Sequence, residues 1–303
     1  MLVALALIWG ASFMFIKVAD RQLAPATLIM GRLGLAALTL AVLVPWSRAT
    51  VGELRENAGW LVLVALTNTA APFWLLSWGE TRIDSGLASI IQAGVPVFNA
   101  MLAFAFFREA RVTGLRLVGV AVGFAGVALL VGAQPSGRIL GALAVVGMAV
   151  CYAVGGLLVG RHLRDVRPML IAFVSTSVAT LVALPAGILQ APHTTPGWKE
   201  IGSVVALGVP GTALAYLLFF GLIANAGPSY ASLVTYLIPP IALAYGAIFL
   251  GERFGAAAFG GLALILAGVA LGTGAVNVTR MAFSRRPAAE SGVGGARGDR
   301  NGL

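Results

Sequence analysis

Two stretches of this sequence resemble each other and decide the fold: GLASIIQAGVPVFNAMLAFAFFRE (86–109) and SYASLVTYLIPPIALAYGAIFLGE (229–252). Both carry an Ala-Ser pair near the start, a proline in the middle and a glutamate at the end. The matched residues are Ala88-Ser89 and Ala231-Ser232, Pro96 and Pro239, and Glu109 and Glu252. The members of each pair are 143 positions apart, and the same offset joins Trp9 to Tyr152. A constant offset without gaps predicts an internal duplication.

The composition indicates that lipid is the solvent of this chain. Of the 303 residues, 59% are hydrophobic and 10% are charged, whereas a soluble domain carries about 25% charged residues. A surface so poor in charge would expose large apolar patches to water. The net charge of +9 comes from basic residues in short stretches between apolar runs. We therefore expect the lipid bilayer as a partner and no nucleic acid.

Ten apolar runs are long enough to cross a bilayer as helices, which need about 20 residues each. We predict spans at residues 1–18, 24–45, 58–79, 86–107, 114–132, 139–160, 168–190, 200–224, 229–250 and 255–276. The first run lacks a preceding basic segment, so we interpret it as a span and not as a signal peptide. Because that run is short, a start of the chain further upstream stays open.

The distribution of lysine and arginine predicts the orientation. Loops that follow even-numbered spans, together with the C-terminal tail, hold 13 of the 20 basic residues. The opposite loops hold 6, and Arg32 lies within a span. Because positive loops stay in the cytoplasm, we expect a multi-pass protein of the cell membrane with both termini cytoplasmic.

The duplication divides the chain into a five-helix repeat at 1–132, a second at 139–276, and a disordered cytoplasmic tail at 277–303. Since five is odd, the two copies must cross the membrane in opposite directions. The predicted fold is all-α and integral to the membrane, with ten transmembrane helices as two inverted five-helix repeats around a central cavity. Inverted repeats are common in secondary transporters, whose substrate sites lie near the bilayer midplane.

A set of short motifs carries a family resemblance. They are Trp9-Gly10 with Ser12 and Phe13, Arg32, Pro96 followed by Arg108-Glu109, Pro239 followed by Leu250-Gly251-Glu252-Arg253, and Gly261 and Gly268. This order resembles the EamA-type exporters of the drug/metabolite transporter superfamily, over nearly the whole chain short of the tail. The resemblance implies ten helices, cytoplasmic termini, a central cavity and export of amino acids or related metabolites. The chain departs from it at Arg108, where glycine is usual, and at Ser175, the position matching Arg32.

Arg32 is the strongest candidate for substrate binding. Counted from Pro25, it lies about 10 Å into the second span at about 1.5 Å per residue. An arginine at that depth is costly unless it faces protein or water, and it marks a functional site by default. Its forked guanidinium suits the two oxygens of a substrate carboxylate. The alternative is a fixed pairing with Glu80, Asp84 or carbonyls at a helix end.

The fourth predicted span carries a polar stripe on one helix face. It consists of Ser89, Gln92, Pro96 and Asn99. We predict that Gln92, Asn99 and Thr235, the counterpart of Gln92, line a substrate cavity. Pro96 and Pro239 each remove a backbone hydrogen bond and permit a kink, so we interpret them as hinges or gates. The alternative for the stripe is hydrogen bonding between helices.

Aromatic residues supply a second group of candidates. We predict that six of them line the cavity together with Asn68 in the middle of the third span. They are Trp9, Trp74, Trp78, Tyr152, Tyr216 and Tyr236. Such rings form an apolar site with a few polar tips, and they can hold an ammonium group by cation–π attraction. The alternative is an interfacial belt, which we prefer for Trp46, Trp60 and Trp198, while Trp78 fits either interpretation.

The glutamates that close the repeated spans are interpreted as structural. Glu109 and Glu252 would pair with Arg111 and Arg253 or cap neighbouring helices, and a gating salt bridge is the alternative. Small-xxx-small motifs in spans 5, 6 and 10 are interpreted as helix packing, with a homodimer interface as the alternative.

Several functional groups are missing from the sequence. No span centre carries an aspartate or glutamate, and Glu80, at the end of the third span, is the nearest candidate for proton coupling. No glycine-rich phosphate loop with lysine is present, so we expect neither ATP drive nor a cofactor or metal. The predicted function is a secondary transporter, not an enzyme, that exports small polar metabolites. A flippase for lipid-linked substrates or an intramembrane enzyme is the alternative.

Overall fold

The computed structural model describes residues 1–106, 114–135 and 137–272, and within them the chain forms helices and no strands. The first half forms α1 (Leu2–Ala19), α2 (Pro25–Leu43), α3 (Arg48–Glu56), α4 (Ala58–Ala65), α5 (Ala71–Glu80), α6 (Ser85–Gln92), α7 (Val95–Phe106) and α8 (Leu115–Gly132). The second half forms α9 (Ile139–His162), α10 (Pro168–Leu189), α11 (Trp198–Gly208), α12 (Ala215–Ala226), α13 (Pro228–Ala231), α14 (Val234–Tyr245) and α15 (Ala256–Gly272). Three π-helical turns are π1 (Leu66–Ala70), π2 (Val209–Leu214) and π3 (Gly246–Leu250). Glu109 and the predicted tail 277–303 lie outside the described residues.

Seven helical stretches of the described residues are long and apolar enough to cross a membrane. They are Leu2–Ala19, Pro25–Leu43, Ala58–Glu80, Ser85–Leu102, Ile139–His162, Pro168–Leu189 and Trp198–Ala226. Three shorter apolar helices, Leu117–Gly132, Val234–Leu250 and Ala256–Leu271, lie where the fifth, ninth and tenth spans are predicted. Helices satisfy their own backbone hydrogen bonds in lipid. The all-helical membrane architecture is therefore confirmed, and the count of ten spans stays a prediction.

Prolines set several helix boundaries, and the two predicted hinges differ. Pro25 and Pro168 are the first residues of α2 and α10, where the missing N–H costs no helical hydrogen bond. Pro96 is the second residue of α7, and α6 ends at Gln92, four residues earlier. A proline cannot donate the helical hydrogen bond to the carbonyl four residues earlier, here that of Gln92, and its ring crowds that carbonyl. Pro239, by contrast, lies inside the continuous α14.

The segment between the second and third spans contains a helix that the sequence did not predict. It is α3, which begins after Ser47, whose side chain accepts a hydrogen bond from the Thr50 N–H at 3.1 Å. Ser47 is thus an N-cap, the role in which serine is favoured. Arg167, just before α10, bonds to Glu53 of α3 at 2.7 Å and joins this helix to the second half.

Two long apolar helices contain a π-helical turn at the same relative position. π1 begins at position 66 and π2 at position 209, which again differ by 143. A π-turn inserts an extra residue and rotates the faces of the helix on either side, and such turns are frequent at functional sites. Thr69 in π1 and Thr212 in π2 are both buried.

The helices of each half pack against helices of the other half, and corresponding helices make corresponding contacts. α1 packs against α14 and α11, while α9, its counterpart, packs against α6 and α5. α2 contacts π2, and α10 contacts π1. α2 also packs along α10, and α8 packs along α15. At the last contact a Cβ atom added to Gly268 would meet the backbone of Gly123, so these glycines permit close approach within one chain.

Hydrogen bonds gather the loops into two groups. One group, which we call the Glu80 end, includes Lys17 bonded to the carbonyls of Glu80 and Ile83, and Arg138 paired with Asp84. The other group, the Glu53 end, includes the Glu53–Arg167 pair and the stacked rings of Trp60 and His162. Gln22 and Thr27 also bond to residues near the C-terminal end of α10 and the start of α11, at the Glu80 end.

Candidate functional site

A cavity of about 270 Å³ lies between the helices of both halves. Its walls come from α1, α2, π1, α5, α6, α7, α9, π2, α12 and α14. The lining residues are Trp9, Ser12, Phe13, Ile16, Arg32, Asn68, Phe73, Leu76, Gln92, Val95, Tyr152, Gly211, Thr212, Tyr216, Thr235 and Ile238. The wall is thus mainly apolar and aromatic with a few polar groups, which is typical of small-molecule sites.

Arg32 is the charged side chain of this wall. It is buried, and its Nε donates a hydrogen bond to the Thr212 hydroxyl at 3.2 Å. Its guanidinium carbon lies 4.5 Å from the centre of the Phe73 ring. Within the described residues no carboxylate lies at ion-pair distance from it, and Asp84 pairs with Arg138 instead. The predicted alternative of a fixed pairing with Glu80 or Asp84 is therefore absent.

The π2 turn positions the partner of Arg32. Thr212 is buried in this turn, and its hydroxyl donates a hydrogen bond to the carbonyl of Leu207 at 2.8 Å. That hydroxyl therefore keeps an oxygen lone pair directed at Arg32, because a hydroxyl carries one donor and two acceptor sites. Gly208 and Gly211 flank the contact, and a Cβ atom at Gly208 would lie 2.8 Å from the carbonyl oxygen of Arg32.

Most of the predicted substrate-binding residues meet in the cavity. Those that line it are Trp9, Arg32, Asn68, Gln92, Tyr152, Tyr216 and Thr235. The others lie elsewhere and do not line it: Asn99, Trp74, Trp78 and Tyr236. Pro96 and Pro239, the predicted hinges, are also outside the lining.

The predicted residues outside the cavity have other neighbours. Trp74 and Tyr236 are partly buried and pack against the hydrophobic core. The guanidinium carbon of Arg82 lies 3.5 Å from the centre of the Trp78 ring, so a cation already covers this ring. Asn99 lies beside α9, and its side-chain oxygen would be 4.0 Å from a Cβ atom at Gly156.

Sequence reasoning overlooked several lining residues as members of the site. Ser12, Phe13 and Ile16 continue the helix face that begins at Trp9, with spacings of 3, 4 and 7 residues. Phe73 and Leu76 lie on the helix that contains π1. The helical period of α1 could have identified its three residues. The residues after π1 could not be assigned in this way, because the π-turn changes the period.

Comparison with known proteins identifies the family. The model of the EamA-like transporter family matches residues 1–132 and 139–273. This chain belongs to the EamA-like transporter family. The resemblance inferred from the sequence motifs is thereby confirmed.

Individual relatives of this EamA chain are transporters by name. A protein of Streptantibioticus cattleyicolor, called a "Probable terminal-alkyne amino-acid exporter", is 30% identical over 275 residues, covering 87% of this chain and 89% of the relative. The uncharacterized transporter YvbV of Bacillus subtilis is 26% identical, covering 89% and 90%. The uncharacterized inner membrane transporter YedA of Escherichia coli is 26% identical, covering 90% and 89%. These names support a transporter in a membrane.

A solved structure supports the fold of the EamA chain. It aligns with a TM-score of 0.61 and 17% identity, covering 92% of this chain and 96% of the other. At 17% identity the similarity supports a shared fold and nothing about function.

Several residues that line the cavity of the EamA chain are pairs at the repeat offset of 143. Five such pairs line it: Trp9 with Tyr152, Asn68 with Gly211, Phe73 with Tyr216, Gln92 with Thr235, and Val95 with Ile238. Four further lining residues of α1 and α5 have no counterpart in the wall: Ser12, Phe13, Ile16 and Leu76. Because α1 and α5 both run toward the Glu80 end, the cavity is extended toward that end.

Glu252 contacts the other half of the EamA chain. One carboxylate oxygen accepts a hydrogen bond from the Ser85 N–H at 2.8 Å. The other accepts from the Ser85 hydroxyl at 3.0 Å and the Gly86 N–H at 3.2 Å. A carboxylate at a helix N-terminus satisfies amides that have no partner within the helix. The geometry is that of a cap on α6, whereas the counterpart Glu109 lies outside the described residues.

Proposed function

We propose that this EamA-family protein is a secondary transporter that exports small polar metabolites, amino acids or related compounds, across the cytoplasmic membrane. The observation that carries the proposal is Arg32, a buried cation in a cavity wall without a carboxylate partner among the described residues. A charge in a low-dielectric site is costly unless it is paired. An incoming carboxylate would provide the missing partner, and Arg32 has two NH₂ groups left to donate to it.

The surrounding wall supports a substrate with one anionic group and a compact organic body. Trp9, Tyr152, Phe73 and Tyr216 all line the cavity, and their rings offer apolar surface to the body. Aromatic faces also attract an ammonium group. The amino-acid exporter named among the relatives supports the same class of substrate.

The proposed mechanism is alternating access between two inverted five-helix repeats that together span the membrane ten times. Two observations support it: the matched π-turns and the exchange of helix contacts between the halves. Loops that follow odd-numbered predicted spans also share hydrogen bonds at the Glu80 end. With the excess of basic loops at the Glu53 end, this arrangement favours both termini in the cytoplasm.

Counterflow in proteoliposomes tests the proposal. Vesicles loaded with one amino acid of a panel should take up the labelled compound only when they contain the protein. Arg32→Ala should abolish this uptake, and Arg32→Lys should weaken it because an ammonium lacks the guanidinium fork. Ser175→Ala is the matched control, since it changes the corresponding position of the other half, outside the cavity wall.

The outcomes are distinct. Unchanged uptake by a folded Arg32→Ala variant would remove Arg32 from the substrate site. Movement of labelled lipid without any amino-acid flux would replace the exporter by a flippase, and product formation without flux would replace it by an enzyme.

A further inference from the structure

Glu80 is a buried carboxyl group that the substrate site does not use. It is the last residue of α5, its side chain has no solvent exposure, and neither carboxylate oxygen has a hydrogen-bond partner in the part of the chain that the structure describes. An ionised carboxylate in such surroundings loses its hydration without compensation, and the usual response is to take up a proton. A bound cation would compensate the charge of Glu80, and the proton is the smallest such cation.

A second carboxyl group and a lysine lie beside it. Asp20 follows α1, accepts a hydrogen bond from the Ser77 hydroxyl at 3.5 Å, and has one buried oxygen without a partner. Lys17 does not neutralise either carboxyl group through a direct contact. Its ammonium instead donates hydrogen bonds to the backbone carbonyl of Glu80 and, at 2.6 Å, to that of Ile83.

The charged groups in electrostatic reach of Glu80 are Asp20, Lys17, Glu252 and Arg32. Glu252 is held by three donors at the start of α6, and Arg32 by Thr212 in the cavity wall. Asp20 is thus the group with a free oxygen that can share a proton with Glu80. Neighbouring carboxyl groups that cannot both ionise favour one shared proton.

This carboxyl pair continues the wall of the cavity. Glu80 is four residues beyond Leu76 on α5, and Asp20 is four residues beyond Ile16 on α1. Four residues along a helix return to the same face, about 6 Å further along the axis. Leu76 and Ile16 belong to the part of the wall that extends the cavity toward the Glu80 end. The pair therefore lies beyond the last lining residues at the Glu80 end of the cavity.

We propose that Glu80 and Asp20 form a proton-binding site through which this protein exchanges a proton for its substrate; this inference rests on the proposed function. On one side of the membrane, water supplies the proton and an O–H bond forms at a carboxylate oxygen. On the other side that bond breaks and the proton returns to water. No other reactant is needed. The proton neutralises the carboxylate that binds it, which lowers the cost of holding that group within the membrane.

Burial of Asp20 is consistent with this site. Removal from water raises the pKa of Asp20 to about 7, against the opposing effects of Lys17 and of the hydrogen bond from Ser77. A group that titrates near the pH on both sides of a membrane can take up and release a proton during one cycle.

Infrared spectroscopy of the reconstituted protein tests the site without any substrate. A pH titration should show the C=O stretch of a buried protonated carboxyl group at neutral pH in the wild type. Glu80→Gln should remove this band, and the exposed Glu56→Gln should leave it in place. Glutamine has nearly the shape of protonated glutamate, so we expect a folded variant. If it failed to fold, Asp20→Asn should still shift the titration of the band.

Transport under a pH gradient tests the coupling. Accumulation of an amino acid from the panel should follow the imposed gradient in the wild type and in Glu56→Gln. Glu80→Gln should abolish gradient-driven accumulation, and its counterflow rate should no longer vary with pH.

The two experiments separate the failure of this inference from that of the proposed function. Absence of the infrared band, or a band that neither Glu80→Gln nor Asp20→Asn changes, would overturn the proton site whatever the protein transports. Gradient-driven accumulation that Glu80→Gln leaves intact, or that needs Na⁺ in place of a pH gradient, would overturn the coupling. If no amino acid were transported, the exporter proposal would fail while the infrared result still decided whether Glu80 holds a proton.

Discussion

The two π-helical turns occupy the same position in the two halves, but they have different partners. In π2, Thr212 accepts a hydrogen bond from Arg32 of α2. At the corresponding positions of the other half, Thr69 of π1 and Ser175 of α10 are buried, and their hydroxyl groups have no hydrogen-bond partner among the described residues. The same backbone feature, a π-turn with a buried threonine, thus occurs in both halves, whereas a buried arginine bonded to that threonine occurs in one of them.

The cavity wall shows a related difference. Five pairs of matched residues line the cavity. The further lining residues of α1 and α5, such as Ile16 and Leu76, all belong to the first half. Their counterparts Val159 and Phe219 do not line it. In the alternating-access cycle that we propose, the two sets would exchange roles.

Cysteine accessibility gives the largest expected contrast between the halves. With the single native Cys151 replaced by alanine, Leu76→Cys should react with a small water-soluble thiol reagent. Phe219→Cys should remain unreactive, because it lies outside the cavity wall in this conformation. Labelling followed by mass spectrometry measures both rates. The reverse pattern, with Phe219→Cys reacting and Leu76→Cys protected, would contradict the described asymmetry.

Removing the hydroxyl that holds Arg32 should have the next largest effect. Thr212→Val leaves the buried guanidinium without its partner, and a hydrogen bond to a charged group contributes about 1.5–3 kcal/mol. We expect a lower thermal stability in detergent and a weaker apparent affinity for the transported amino acid. Thermal melts and counterflow at varied substrate concentration would measure both.

Thr69→Val is the matched control, because it makes the same change in π1. Equal losses in the two variants would show that the hydrogen bond to Arg32 has no special importance.

The buried hydroxyl groups of Thr69 in π1 and Ser175 in α10 should give a smaller effect of opposite sign. Thr69→Val and Ser175→Ala remove buried polar atoms without partners, and each such atom costs about 1 kcal/mol or more. We expect each variant to be as stable as the wild type or more stable, by about 1 kcal/mol. A clear loss of stability in both, measured by thermal melts, would indicate that the hydroxyls have partners after all.

The pH dependence of stability should differ between the two ends of the molecule, with the smallest effect. Burial raises the pKa of Asp20 to about 7, so the folded state binds more protons than the unfolded state between about pH 4 and about pH 7. Stability should therefore fall as the pH rises through that window, and Asp20→Asn should remove this part of the slope. Thermal midpoints measured across the window provide the test, and an unchanged slope in the variant would contradict it.

At the opposite end, Glu53 provides the comparison. Its burial acts to raise the pKa, but the hydrogen bonds and the charge of Arg167 outweigh this and lower it. The stabilisation by Glu53 should be present at neutral pH and should decrease as the pH falls through its lowered pKa. Glu53→Gln should therefore alter the acid side of the profile and leave the window of Asp20 unchanged.

Much of the site could be predicted because the repeat restricts it. Arg32 is conspicuous as a charge within an apolar run, and the offset of 143 connects Trp9 with Tyr152 and Gln92 with Thr235. These residues line the cavity together. Trp74, Trp78 and Tyr236 were predicted as aromatic side chains of the spans, without support from the repeat, and they lie outside the cavity wall. Residue type does not state which way a helix faces, and a π-turn within the helix changes that direction.

The sequence by itself determined an all-helical membrane protein of the EamA family, because apolar runs and repeated motifs are local properties of the chain. Only the tertiary structure decided which groups have partners. Thr212 bonds to Arg32 across 180 positions, Glu252 caps α6 from the other half, and the Glu80 carboxylate has no hydrogen-bond partner among the described residues. Partnership depends on distances between helices that are far apart in sequence, and neither composition nor periodicity contains those distances.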